Sequence, residues 1–147
     1  MVRRIKRVEA VIDVVGRSER ELARELAQAR QQLEAEQTKY QRLRSYVEDY
    51  RRRHMGRTGS IKPALLRENL GFQKRLGEAV NQQRQQVEMA QARIDALVAS
   101  WRESRTRVSA LERAADRMRD DLSRKEARRE QAATDEAGNR SPGRRLR

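Results

Sequence analysis

Apolar residues recur along two long stretches of the chain at alternating spacings of three and four residues. The first stretch, residues 5–50, has only Glu19 and Glu36 as polar members of this pattern. The second stretch covers residues 66–122, and its polar members are Asn69, Gln73, Gln83 and Ser104. An apolar period near 3.5 residues, sustained over many heptads, buries one narrow stripe of a helix against another helix. Each stretch therefore predicts one long helix with an apolar seam.

A short segment that contains Gly56, Gly59 and Pro63 separates the two stretches. Glycine lets the backbone reverse and proline resists helix continuation, so the segment predicts a turn between two helices. We expect an all-α fold in which two long helices form an antiparallel coiled-coil hairpin over residues 1–133. Helix one should cover about residues 2–53, the break about residues 54–62, and helix two about residues 63–130.

The pairing of the two stretches sets the register of the hairpin. With Tyr50 opposite Leu66, Val15 lies near Trp101 and helix two extends beyond helix one from about Arg113, although a slip of one heptad fits the pattern almost as well. Residues 134–147 lose the period and gain glycine, proline and arginine, which predicts a disordered basic tail.

Composition limits the chemistry that the chain can perform. Charged residues make up 39% of the 147 residues and aromatic residues 3%, which is typical of an elongated coiled coil with no interior for a substrate. The chain has no cysteine, and its single histidine, His54, falls in the break, where we expect a solvated loop residue. We therefore expect a protein that is not an enzyme and has no catalytic residues, cofactor or metal site.

The net charge of +13 favours acidic partners. Nucleic acid, an anionic membrane and an acidic protein surface all have this character. Acidic residues interleave with the basic ones, unlike the dense basic run before a parallel zipper, so nucleic acid binding is the weakest of these interpretations. No apolar run approaches membrane-spanning length, and we expect a cytoplasmic protein.

Two aromatic residues lie outside the seam pattern. Tyr46 and Phe72 each fall one position before a seam position. With their neighbours they make an apolar and aromatic stripe in the half of the hairpin next to the break, composed of Leu43, Tyr46, Tyr50, Phe72, Leu76 and Ala79. The stripe is either a binding surface or a local broadening of the seam to three positions per heptad, and the spacing alone supports both.

These residues resemble a known family. The Tyr46-x-x-x-Tyr50 pair, the glycine-containing break, Phe72 with Leu76 and Ala79, Ser100-Trp101-Arg102-Glu103, Leu111 and Arg117 are similar in order and spacing to the flagellar export protein FliJ. The similarity covers nearly the whole chain except its C-terminal tail.

The resemblance implies a partner-binding protein of flagellar type III export. A FliJ-like chain is a stalk in the export ATPase hexamer (FliI-like), similar to the gamma-subunit coiled coil of rotary ATPases. It also binds the cytoplasmic domain of the export gate protein FlhA, and export chaperones. The implied gate contacts are Leu43, Tyr46, Tyr50, Phe72, Leu76, Ala79 and Gln83, with Lys39 as a weaker match.

The implied ATPase contact lies toward the joined helix ends, where the extension of helix two carries Arg113, Arg117 and Arg124. We expect a monomer that associates with the inner face of the cell membrane at the flagellar base only through its partners. The alternatives are a YscO-like stalk of a virulence type III secretion system and, less favoured, a basic coiled coil that binds nucleic acid.

Overall fold

The computed structural model describes residues 2–55 and 62–140. Two long helices account for almost all of them, α1 over Val2–Met55 and α2 over Pro63–Arg140. The helices pack against each other, and the described residues contain no strand. This confirms the predicted all-α fold of two helices in a hairpin. The glycines predicted to reverse the chain, Gly56 and Gly59, lie outside the described residues.

Helix α2 ends later than the sequence pattern indicates. It continues to Arg140, so residues 134–140 of the predicted disordered tail are helical. The apolar period stops before this segment, but residues 131–137 read Gln-Ala-Ala-Thr-Asp-Glu-Ala and are rich in good helix formers. Every residue from 123 to 140 is exposed, so helix propensity rather than packing accounts for this extension. The rest of the predicted tail, residues 141–147, lies outside the described residues.

The chain divides into two compact units. The central unit comprises Glu21–Trp101, and the terminal unit comprises Met1–Arg20 together with Arg102–Arg147. The core of the central unit is built from seam residues of both helices. Leu26 and Ala29 of α1 pack with Ile94 of α2, and three half-buried residues surround them, Leu33, Leu97 and Val98.

The terminal unit has its own buried seam and its own ion pairs. Ile5, Val108 and Ala115 are buried there, and Ala115 is 0% exposed. Glu9 Oε1 lies 2.7 Å from the Arg119 guanidinium, and Glu19 lies 3.6 Å from Arg105. Because the earlier residue of α1 pairs with the later residue of α2, the two segments run antiparallel.

The heptad grid of the sequence corresponds closely to the observed burial. In α1 every grid position from Ile5 to Tyr50 is buried or half-buried. In α2 the same holds from Asn69 to Leu122. Leu66 is the exception, because it is 46% exposed and the seam of α2 begins at Asn69 instead.

The predicted register, with Tyr50 opposite Leu66, is wrong. The Tyr50 hydroxyl donates to Oδ1 of Asn69 at 3.2 Å, and Gln83 of α2 donates to Glu36 of α1. Both contacts join hydrogen-bonding side chains of the two seams, a match that an apolar period alone cannot select. In the terminal unit α2 stays paired past Arg113, and Leu122 is its last half-buried residue.

Candidate partner-binding surfaces

The residues implied in gate binding lie in the central unit, and we call them the gate surface: Leu43, Tyr46, Tyr50, Phe72, Leu76, Ala79 and Gln83. Their exposure differs widely. Tyr46 is 53% exposed, whereas Leu76 is 8% exposed and belongs to the core. Leu43, Tyr50, Phe72 and Ala79 are half-buried. The surface is therefore a broadened seam with one prominent aromatic side chain beside it.

An aromatic cluster ties the two helices together at this surface. The rings of Tyr50 and Phe72 meet edge to face with centroids 4.8 Å apart. The His54 ring lies 4.3 Å from that of Tyr50, and the Arg75 guanidinium lies 6.0 Å from the Phe72 ring. Such contacts fix the ring of Tyr50 between a histidine, an amide and an aromatic edge.

His54 is not the solvated loop residue that the sequence analysis expects. It lies in the last turn of α1, is half-buried and packs on Tyr50. Its position four residues after Tyr50 continues the seam spacing, so the heptad grid carried the signal. The prediction is wrong because α1 ends at Met55, two residues beyond the predicted end at Arg53.

Gln83 is already engaged within the chain. Its side-chain nitrogen donates to the backbone oxygen of Glu36 at 3.0 Å and to the Glu36 carboxylate. Gln32 donates to the same carboxylate at 2.9 Å, and the Lys39 ammonium lies 3.6 Å from it. Glu36 is 8% exposed, so these partners satisfy a buried charge. Gln83 and Lys39 are thus held at this polar layer.

The residues implied in ATPase binding lie on α2 in the terminal unit, and we call them the ring residues: Arg113, Arg117 and Arg124. All three are exposed. Arg113 and Arg117 flank the buried Ala115, in a part of α2 that is packed on α1, whereas Arg124 lies after the last half-buried residue, Leu122. The ring residues therefore lie on both sides of Leu122, the last half-buried residue of α2.

Sequence reasoning missed Arg119 as an arginine that bridges the two helices. It donates to Glu9 at 2.7 Å and to Asp116 at 3.0 Å. The hydrogen bond to Glu9 raises the pKa of Arg119 above its usual value, aided by the charges of Glu9 and Asp116 and opposed by partial desolvation. The guanidinium therefore stays charged at all working pH values. Surface charges carry no seam period, so only the fold identifies this pair.

Neither the terminal nor the central unit offers an evident metal site in its described residues. No group of three or more His, Cys, Asp or Glu side chains there is placed to hold a metal ion. An open groove of about 460 Å³ in the terminal unit is lined by carboxylates and one cation, namely Glu9, Asp13, Glu112, Asp116 and Arg119, with Ile12 and Ala115 beneath.

The described parts of α1 and α2 contain no stretch apolar enough to cross a bilayer.

The chain was compared with known proteins. No significant match is found among curated proteins or among solved structures. A family model, described as the flagellar FliJ protein, matches residues 5–147, essentially the whole chain. Because the match extends over nearly every residue of both helices, the chain belongs to the FliJ family, whose members are non-catalytic components of flagellar type III protein export.

Proposed function

We propose that this export component works through one surface in each unit. The gate surface of the central unit binds the cytoplasmic domain of FlhA, and the terminal unit is the part that enters the export ATPase ring as a stalk. Export chaperones are further partners. The protein itself supplies no catalytic group; it is cytoplasmic and is held at the inner face of the cell membrane, at the flagellar base, by these partners.

The observation that carries the gate proposal is the placement of Tyr46. This large aromatic side chain is 53% exposed although it lies one turn from Tyr50, whose ring is packed. Exposed tyrosines beside a half-buried apolar surface are typical anchors of protein interfaces, because they add large contact area at a small cost in conformational entropy. At the same gate surface Leu76 is buried and Phe72 is half-buried.

Replacing Tyr46 with alanine tests the gate proposal. We expect the Kd for the FlhA cytoplasmic domain to rise about tenfold, because an anchor is lost. The melting temperature should hardly change, because Tyr46 is exposed. Affinity is measured by calorimetry and melting by circular dichroism. Tyr46→Ala is preferable to Phe72→Ala, since Phe72 also packs on Tyr50.

Met89→Ala is the matched control. Met89 is 65% exposed on α2 of the same unit, so its truncation removes a comparable exposed apolar side chain away from the gate surface. Equal weakening by both variants, or a fall in melting temperature that parallels the loss of binding, would contradict an anchor role for Tyr46.

A further inference from the structure

Two exposed leucines and one glycine share a face of α2 that no residue of 2–55 or 62–140 covers. Leu66 and Leu70 are 46% and 55% exposed. With about 100° per residue, Leu66, Leu70 and Gly77 lie within about 40° of one another around the helix. We call these three residues the leucine–glycine face. They lie on the opposite flank of the α2 seam from Phe72 and Ala79, so this face is separate from the gate surface.

The packing within this protein gives no reason for a glycine at position 77. A Cβ built on it would meet nothing within 4 Å, so internal packing does not require a glycine. Glycine in a helix interior is nevertheless less favourable than alanine. A residue without a side chain, open to solvent and aligned with two exposed leucines, leaves a notch that admits the close approach of another backbone.

The charges around the face are mainly basic. Arg67 and Lys74 border it on α2, and Arg84 continues the same stripe two turns beyond Gly77; all three are exposed. The carboxylates near it on α2 are Glu78, at its edge, and Glu88, one turn beyond Arg84. A partner that covers the leucines therefore gains from negative charge beside its apolar residues.

We propose that the leucine–glycine face binds an amphipathic α-helix of a partner protein whose apolar stripe is flanked by acidic residues. The two leucines provide the apolar contact, the notch at Gly77 seats the helix backbone, and the three basic residues pair with its carboxylates. A notch allows the backbone of a helix to approach closely, whereas a fluid lipid surface gains nothing from a notch of this size. This site goes beyond the proposed function, since neither the gate surface nor the ring residues contribute to it.

The probe for the test is a fluorescent 21-residue helical peptide with leucine and alanine on one face and glutamate at the flanking positions. The same peptide with lysine in place of glutamate is its counterpart. We expect the full-length protein to bind the acidic peptide and not the basic one, with affinity that falls as salt rises. Binding of both peptides alike would overturn the charge argument.

Gly77→Leu is the decisive variant. We expect it to melt at a higher temperature, because leucine is a better helix former and has room, yet to bind the acidic peptide about tenfold more weakly, because the notch is filled. Gly71→Leu is the matched control. A Cβ built on Gly71 also meets nothing within 4 Å, but Gly71 lies about 120° from Gly77 around α2. This variant should therefore melt at a higher temperature and bind the acidic peptide with unchanged affinity.

Three results would overturn the proposal. The first is that Gly77→Leu binds the acidic peptide as tightly as the unchanged protein does. The second is that Gly77→Leu and Gly71→Leu lose the same amount of peptide affinity. The third is that the unchanged protein and Gly77→Leu both bind phosphatidylglycerol vesicles and neither binds the acidic peptide. The last result would assign the face to a lipid surface. Gly77→Leu should bind FlhA with unchanged affinity, and Tyr46→Ala should bind the acidic peptide with unchanged affinity. Failure of the leucine–glycine proposal is therefore distinguishable from failure of the gate proposal.

Discussion

Glu36 is a buried carboxylate within α1, and side chains from both helices satisfy it. Gln32 and Lys39 approach from the same helix, and Gln83 approaches from α2. A buried charge costs free energy unless it is paired and hydrogen-bonded, and removing one partner leaves the remainder uncompensated. Such polar layers in coiled coils specify register more than they stabilise. Glu36 and Gln83 therefore define which residues of α2 face which residues of α1.

Exchanging the two side chains tests this role. Gln83→Glu should lower the free energy of unfolding by about 2–3 kcal/mol, because two carboxylates then face each other in the seam. Adding Glu36→Gln to Gln83→Glu should restore most of the stability in urea unfolding at neutral pH. A double variant as unstable as Gln83→Glu alone would show that the pair does not interact.

Helix α2 changes character along its length. Up to Leu122 it is held by packing against α1, and from residue 123 to Arg140 every side chain is exposed. Isolated helices of this length are marginal in water, so the last turns depend on propensity and on charge pairs along the helix. Arg124, one of the ring residues, lies in this exposed part of α2.

Reversing the charge of the ring residues tests the proposed contact with the ATPase ring. Arg113, Arg117 and Arg124 changed together to glutamate should reduce the stimulation of ATPase hexamer assembly by about tenfold, because several arginine contacts are lost at once. Affinity for FlhA should stay within about twofold, since the gate surface is untouched. Hexamer assembly is followed by the ATPase activity and by the mass of the ATPase complex.

The matched control reverses three exposed arginines of α1 in the central unit, Arg24, Arg30 and Arg42. It makes the same change in net charge and should leave the stimulation intact. If the control loses as much stimulation as the ring variant, net charge rather than these residues governs the contact. If stimulation disappears with Tyr46→Ala and survives the ring variant, the assignment of partners to the two units is reversed.

At the scale of the whole molecule, both apolar seams are used within one chain. Leu26 and Ala29 pack on Ile94, and in the terminal unit Ile5, Val108 and Ala115 are buried without a second copy. The net charge of +13 adds repulsion between copies. A second chain would therefore bring little apolar burial to set against the cost of association.

We accordingly expect a monomer. Light scattering at physiological salt should give a mass near 17.2 kDa across a wide range of concentrations. A mass that doubles with concentration would contradict this expectation, and the leucine–glycine face would then be the first candidate contact. A dimer lost in the variant Leu66→Ser with Leu70→Ser would identify it.

Much of this fold follows from the sequence because its burial is periodic. The grid from Ile5 to Leu122 assigns nearly every inward side chain, and Tyr46 is predicted to lie beside the seam by its position alone. The register does not follow, because apolar layers one heptad apart are almost equivalent. The pairing of Glu36 with Gln83 was visible only as two polar interruptions. The ion pair of Arg119 and the helical state of residues 134–140 were not predicted, because neither surface charge nor helix propensity follows the spacing of the seam.

The separation along the chain between paired residues grows steadily away from the connection between the helices. Tyr50 and Asn69 are 19 residues apart, Glu36 and Gln83 are 47 apart, and Glu9 and Arg119 are 110 apart. Closing a loop costs about 0.6 kcal/mol more for each doubling of its length, so the shortest closures are favoured first, and each shortens the next. We therefore expect the hairpin to form from its connection outward.

This order has a kinetic consequence during synthesis. The whole of α1 is made before any of α2, and the central unit has all its residues once Trp101 has emerged from the ribosome. The α1 segment of the terminal unit stays unpaired, with its apolar seam exposed to water, until the last third of the chain has been made. We therefore expect Ile5 and the rest of the α1 segment of the terminal unit to stay unpaired longest in the newly made chain, because its partner segment on α2 is made after Trp101.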